Sequence, residues 1–330
     1  MKILVAGGAG YIGSHTVQEL IHQGYEIVIL DNFSSGKREL ICGGEVIVGD
    51  LMNTDDLEKV FTQHKIQGVL HFASLIQVGE SYEDPQKYYL HNLITSLNLL
   101  RAMLQANVKL LIFSSSAAVY GIPQQIPIPE SHPLKPTNPY GLTKFFIEKI
   151  LLDYERAYGL KFVSLRYFNA AGADPEARMG EMHEPETHLI PNLLLFLLGK
   201  RKDFSLFGSD YSTLDGTAIR DYIHVTDLAK AHVLALEKLP SLKNSAFINL
   251  GTNQGYSIME VIKKVESVTG QKVSFSVKPK RKGDVGVLLA SSEKAKQLLQ
   301  WELKYSDLDT IIETAWNWHR KTSGQRQIKS

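Results

Sequence analysis

The feature that most constrains this chain is its opening. A short apolar run, residues 3–6, breaks into Gly7-Gly8-Ala9-Gly10-Tyr11-Ile12-Gly13, after which apolar residues recur with helical spacing over 12–21. A strand that passes into a helix through these glycines leaves the backbone N–H groups of the helix start uncovered, and glycine lets a pyrophosphate approach them closely. The run contains both G-x-x-G-x-x-G and, from Gly8, G-x-G-x-x-G. Asp31 closes the second apolar run, 18 residues after Gly13, where a carboxylate can accept hydrogen bonds from an adenosine ribose. Together they predict a dinucleotide site. The carboxylate favours NAD over NADP because it would repel a 2′-phosphate. Taken alone, the glycines also read as a tight turn and Asp31 as a solvated carboxylate.

Further apolar, β-branched runs at 26–30, 46–49, 69–72, 110–114 and 162–165 alternate with helical patterns such as 57–61. Strand and helix in alternation require parallel pairing, because each connection must cross back over the sheet. The expected fold is therefore α/β, a doubly wound parallel sheet of Rossmann type, with ligands beyond the carboxyl ends of the strands. The rhythm is lost past Asn169. Residues 173–186 are rich in Pro, Gly and charge, and the apolar run 189–198 opens a second, smaller α/β unit for the substrate. A helical stretch at 225–239 and a strand at 247–250 read as late additions to the first sheet, so the two units interleave. The expected division is 1–168 with about 220–250 for the dinucleotide, and about 169–219 with 251–330 for the substrate. The tail after Lys321 reads as disordered.

Composition narrows the partners. With 36 Lys+Arg against 35 Asp+Glu there is no field to recruit nucleic acid or an anionic membrane. The single cysteine, Cys42, cannot close a disulfide within the chain and fits a reducing compartment. The first apolar run is too short for a signal peptide, and 189–198 is about half a membrane span and contains Pro191 and Asn192. The chain reads as soluble and cytoplasmic. No metal site is expected, since eleven histidines include no H-x-x-x-H pair and His183 with His188 lacks a third ligand in the sequence.

The strand ends carry the chemistry. Asp50 could face an adenine, and His71-Phe72-Ala73 could line the cofactor, although both segments also read as loop caps or core. The fifth run ends in Ser114-Ser115-Ser116-Ala117-Ala118-Val119-Tyr120-Gly121. Tyr140 and Lys144 stand four apart where a helical pattern begins, so they share a face. A phenol with a pKa of about 10 is too weak a base at neutral pH. An ammonium roughly 6 Å away at an effective dielectric of about 20 favours the phenolate by roughly 2–3 kcal/mol. A strand-end serine can share the proton. Tyr-x-x-x-Lys is common on helix surfaces, but beside a dinucleotide site these groups describe oxidation of a secondary alcohol. An NAD-binding regulator without catalysis would have no need of Tyr140 or Lys144.

With Val78-Gly79-Glu80-Ser81, Arg166-Tyr167-Phe168-Asn169 and Asp215-Gly216-Thr217-Ala218-Ile219-Arg220-Asp221-Tyr222-Ile223-His224-Val225, these motifs resemble the extended short-chain dehydrogenase/reductase family. Within it they are most similar to the 4-epimerases of UDP-glucose and UDP-galactose, from Met1 to about Arg320. The resemblance implies that Tyr140 takes the proton of the sugar 4-hydroxyl while hydride passes to tightly held NAD, that Lys144 tunes Tyr140, and that Ser116 shares the proton. The implied cofactor contacts are Gly7, Gly10, Tyr11, Ile12, Gly13, Asp31, Asn32, Asp50, Leu51, Phe72, Ala73, Asn92, Ser114, Tyr140, Lys144 and Phe168. The UDP-sugar would meet Ser116, Tyr140, Asn169, Leu189, Phe207, Arg220, Arg281 and Asp284. Arg220 and Arg281 suit a diphosphate because guanidinium can donate two parallel hydrogen bonds, although both also read as surface ion pairs. Phe207 could stack on uracil or sit in a core.

Some positions depart from the family pattern. Ile76 replaces a lysine of some members, and His188 stands where an asparagine often binds substrate, so neither takes over that role. Leu288 stands where some members carry a bulky tyrosine, and its smaller side chain implies room for a 2-acetamido group and activity on UDP-N-acetylglucosamine. The nearest rivals, dehydratases and decarboxylases of the same fold, need acidic groups where this chain has Ala117 and Ala118, which have no proton to transfer. Residues 85–105 are apolar on more than one helix face and, with the helix after Tyr140, resemble the four-helix contact of a homodimer.

Overall fold

The apolar runs of the first half pair side by side as parallel strands: β1 (Lys2–Ala6), β2 (Glu26–Asp31), β3 (Glu45–Val48), β4 (Gly68–His71), β5 (Leu110–Ser116) and β6 (Lys161–Tyr167). A seventh strand, Ala246–Leu250, adds in parallel to β6, with Phe247 opposite Ser164. The structure, a computed structural model, describes residues 1–281 and 283–327. Across the sheet the order is the seventh strand, β6, β5, β4, β1, β2, β3. The order reverses between β1 and β4, where neighbouring connections leave on opposite faces and open a crevice beyond the strand ends.

Ile3, Leu4, Val5 and Ala6 are all fully buried because both faces of β1 are covered, as a parallel sheet requires. On one face the helices Tyr11–His22 and Val225–Lys238 bring Val17, Leu20, Leu228 and Leu236 into a core with Ile3 and Val5. On the other, Leu57, Leu99, Met103, Ile147 and Leu151 pack with Leu4 and Phe113. The strand and helix expected at 247–250 and 225–239 thus do join the first sheet.

The remaining chain forms a cap on short pieces. Ile219–Arg220 pairs with Tyr256–Ser257 and Val287–Leu288, and Ser205–Phe207 pairs with Ser276–Lys278. The helices Leu189–Leu197, Ile258–Thr269 and Leu308–Gln327 share a core of Leu193, Val261, Val265, Ile311 and Ile312. Two features differ from the sequence reading. Ala295, Leu299 and Trp301, from the segment assigned to the substrate unit, pack instead into the core of the large sheet. The tail after Lys321 is not disordered up to Gln327; it continues the last helix, because Trp318 is buried with Met179 and Lys321 Nζ donates to Ala177 O at 2.8 Å. The final residues, 328–330, lie outside the described residues. Among the described residues no helix is long and apolar enough to cross a membrane.

Candidate active site

The glycine run turns as its sequence requires. Gly7 has φ +81° and donates its N–H to Leu30 O at 2.9 Å, and a Cβ there would lie 2.5 Å from Ala73 N. At Gly13 a Cβ would lie 2.3 Å from Gly7 O, so the helix could not approach the turn. Gly10 caps the helix Tyr11–His22 without a side chain, leaving its first amides and its positive dipole end open to an anion. Tyr11 is buried and locks the loop to the cap by donating to Gly172 O at 2.6 Å. Ile12 is half-buried on the same turn and packs against the large-sheet core.

Asp31 ends β2 with its carboxylate at the crevice, steadied by N–H donation from Ala9 and Phe33, each at 2.9 Å. Asn32 Nδ2 donates to Asp50 Oδ2 at 2.9 Å, which places both residues at the same edge. The two nearby cations are engaged elsewhere: Arg38 stacks 4.2 Å from the Phe33 ring centroid, and Lys37 pairs with Glu184 at 3.4 Å. A cradle that any Cβ would fill, a helix start without a side-chain cap, and a carboxylate with two steadying amides together fit a dinucleotide with a free ribose 2′-hydroxyl.

At the end of β5, Ser116 caps a short turn by accepting from Ala118 N at 3.2 Å, and its hydroxyl also hydrogen-bonds Tyr140. Asn138 Oδ1 accepts from Gly141 N at 2.7 Å and Pro139 opens the helix Pro139–Tyr158, so cap and proline fix where Tyr140 begins. Lys144, one turn on, is fully buried and donates to Ser114 O at 2.8 Å, while its Nζ lies 5.9 Å from the Tyr140 ring centroid. The separation matches the sequence expectation, but the electrostatic outcome differs. Burial pushes the Tyr140 phenol up, and only the Ser116 hydrogen bond opposes it. Burial also pulls Lys144 down to about 7, with Glu148 opposing. With the ammonium disfavoured by burial, the pocket without its ligands favours the protonated phenol at Tyr140.

The cap brings together residues far apart in sequence. The Arg281 guanidinium lies 4.3 Å from the Phe207 ring centroid, and Arg220 faces Asp284 at 3.8 Å. Asn169, just after β6, donates through Nδ2 to Asp221 O at 2.9 Å, and Leu189 begins the helix capped by His188. A model of the NAD-dependent epimerase/dehydratase family matches residues 3–251. The chain belongs to that family. A UDP-glucose 4-epimerase from Halalkalibacterium halodurans is 51% identical over 97% of this chain and 96% of its own. The crystal structure of a UDP-glucose 4-epimerase from Bifidobacterium longum in complex with NAD+ and UDP superimposes with a TM-score of 0.93 at 39% identity, covering 97% of this chain and 98% of that one. The UDP-Glc/GlcNAc 4-epimerase of Campylobacter jejuni matches with a TM-score of 0.85 at 39% identity, covering 97% and 99%.

Within this epimerase/dehydratase fold, three of the expected cofactor residues have side chains that also make contacts inside the protein. Leu51 is buried in the core under the helices. Asn92 accepts from Leu75 N at 2.8 Å and donates to Leu75 O and Thr143 Oγ1, so it clamps the loop after β4 to the tyrosine helix. Phe168 is buried with Ala117, Tyr120 and Ala290. Phe72 and Ala73 both donate N–H to Ala6 O and so form the crevice wall through their backbone, the Phe72 ring tilting on His232 with centroids 4.9 Å apart.

Other site residues escape the sequence reading. Tyr167, at the end of β6, hydrogen-bonds Ser114. Glu148, one turn beyond Lys144, accepts from Ser115 and Ser164 at 2.8 Å and pairs with buried Arg166 at 2.6 Å. That buried pair ties the ends of β5 and β6 to the tyrosine helix. The continuing four-residue spacing Tyr140, Lys144, Glu148 was the available signal. The strap after Gly180 also brings Glu181 and Glu186 to His183 and His188, carboxylates that the histidine spacing did not suggest.

Proposed function

We infer that this protein interconverts UDP-galactose and UDP-glucose at C4, holding NAD in the crevice between β1 and β4 and the UDP-sugar under the cap. One observation carries the reading: a buried tyrosine bonded to a strand-end serine, with a lysine one turn away, on the same sheet edge as a glycine cradle. The amides of Gly7 to Gly13 and the Asp31 carboxylate would hold the pyrophosphate and ribose of NAD. When bound, NAD accepts a hydride and returns it, so no net oxidation of the sugar results. Ser116 and Tyr140 pass the 4-hydroxyl proton, Tyr140 acting as base when the alcohol becomes a ketone and as acid on its return. Lys144, one turn beyond Tyr140 and held by Ser114 O, would tune the phenol toward its base form whenever it carries its proton. Arg220 and Arg281 hold the diphosphate while Phe207 offers a face to the base, and the Leu189 amide at the helix start adds a donor.

Leu288 packs with the cluster that contains Ala117 and Phe168, beside the catalytic strand end. A side chain of that size supports admission of the 2-acetamido sugars. Leu90 and Ile94, on the helical segment before β5, and Phe146, on the tyrosine helix, are exposed apolar residues, which supports a homodimer through a four-helix contact. The single exposed cysteine supports a cytoplasmic location.

The test is to incubate purified protein with UDP-galactose, without added NAD, and to look for UDP-glucose. Conversion is expected from cofactor carried through purification. A protein with no bound dinucleotide and no conversion after NAD is supplied would overturn the reading.

A further inference from the structure

The strap 181–188 crosses from the glycine loop to the cap helix Leu189–Leu197, and none of the chemistry above uses its ionisable side chains. Glu181, His183, Glu186 and His188 each place one ligand atom within 4.8 Å of the others. Glu181 and Glu186 are only 3% and 8% exposed. Among the described ion pairs neither carboxylate meets a lysine or arginine; both meet only the two histidines. Two carboxylates this close, stripped of water, call for positive charge between them unless one of them takes up a proton. Two protonated imidazoles satisfy that requirement, and so does one divalent cation, which would turn both Nδ1 atoms into lone-pair donors.

The geometry suits the cation. His183 Nδ1 lies 2.8 Å from Glu181 Oε1 and 3.9 Å from Glu186 Oε2. His188 Nδ1 bonds the same Glu181 oxygen and lies 3.9 Å from Glu186 Oε1. Metal–ligand distances of about 2.0–2.2 Å in a tetrahedron put ligand atoms about 3.3–3.6 Å apart, a spacing these separations bracket. An outer shell is also in place. Glu186 Oε1 accepts the N–H of Thr187 at 2.7 Å and of His188 at 2.8 Å, which fixes the carboxylate. Trp318 Nε1 donates to Glu181 O at 3.1 Å, tying that ligand to the last helix. Asn192 donates through Nδ2 to Glu186 O at 3.5 Å, and its buried Oδ1 has no hydrogen-bond partner among the described residues.

We propose that Glu181, His183, Glu186 and His188 bind one divalent transition-metal ion of the zinc class as a structural clasp. Two imidazoles with two carboxylates favour zinc over calcium or magnesium, which prefer all-oxygen sets. Four protein ligands make a closed site, structural rather than catalytic. The His183 ring stands edge-on to Tyr11 with centroids 6.1 Å apart, so the clasp would hold the strap against the residue that follows Gly10.

Chelator-treated protein, otherwise intact, is titrated with zinc sulfate and followed by calorimetry and thermal unfolding. The expected result is one zinc per chain, a melting temperature that rises with zinc concentration, and reversal by EDTA. The His183→Ala/His188→Ala double variant, and separately the near-isosteric Glu186→Gln, should bind zinc more than ~100-fold more weakly. Far-UV circular dichroism of each variant before zinc confirms that it is folded. Cobalt loading of the native protein should give the intense visible bands of a tetrahedral site. The absence of stoichiometric zinc binding would overturn the proposal. Zinc binding of undiminished affinity in both folded variants would also overturn it, because the ion would then lie elsewhere.

Discussion

At the sheet edge, Ser116, Tyr140 and Lys144 stand on one strand end and one helix, each held by backbone or cap hydrogen bonds within its own element or the next strand. In the cap, Phe207, Arg220, Arg281 and Asp284 come from two-to-three-residue strands and loops, and they meet through one cation–aromatic stack and one 3.8 Å ion pair. The first arrangement has rigid support on regular elements, so the atoms proposed to exchange a proton would be positioned before substrate arrives. The second is partly exposed and adjustable, which suits groups that bind a flexible diphosphate and then let it go. The contrast supports the proposal of chemistry at the edge and binding at the cap.

That division can be broken by four measurements. Tyr140→Phe should lower kcat by roughly 10²–10⁴-fold while KM for UDP-galactose stays near its original value and bound NAD is retained, measured by a coupled assay and by cofactor extraction. A large rise in KM instead would place binding at the edge. Arg220→Ala removes a charge-assisted contact of about 1.5–3 kcal/mol and should raise KM roughly 10–100-fold with kcat little changed. Loss of kcat alone would reverse the assignment. Gly13→Ala forces a Cβ to 2.3 Å from Gly7 O. It should cost about 1–3 kcal/mol and leave purified protein depleted of NAD, as read by its absorbance and melting temperature.

The smallest effect concerns pH. In the cofactor-free protein Lys144 is held at about 7, below the ordinary value of 10.5. The unfolded chain therefore binds this proton more tightly than the folded one between those values, and stability rises with pH across that window; below it the penalty is fully present and no longer changes with pH. Lys144→Met should be the more stable at pH 7, and its advantage over the native protein should shrink as pH rises toward 10. Parallel melting curves for the two proteins would show that burial is not straining the lysine.

Much of the edge was legible in the residues because it obeys local rules. Glycines between a strand and a helix, an aspartate ending the next strand, and a tyrosine and lysine four apart on a capped helix are patterns of one element or of two neighbours. Residues such as Leu51 and Asn92 stand at plausible positions for a cofactor contact, and the structure adds core packing and a loop clamp that their spacing did not suggest. Spacing cannot show which way a side chain turns when two environments compete for it. The cap residues were reached only by resemblance, since Phe207 and Arg281 are separated by a long stretch of chain and no periodicity links them.

By itself, the sequence determined the doubly wound sheet and the glycine turn at its edge, and it brought Tyr140, Lys144 and Ser116 forward as neighbours, because alternating apolar runs and turn chemistry act over a few residues. Only the tertiary structure decided the rest. Burial raises Tyr140 and lowers Lys144 against the local Coulomb expectation; Trp318 anchors a tail whose composition reads as disordered; and two glutamates fold back onto His183 and His188. Each of these depends on desolvation or on contacts between distant segments, which exist only once the chain has closed on itself.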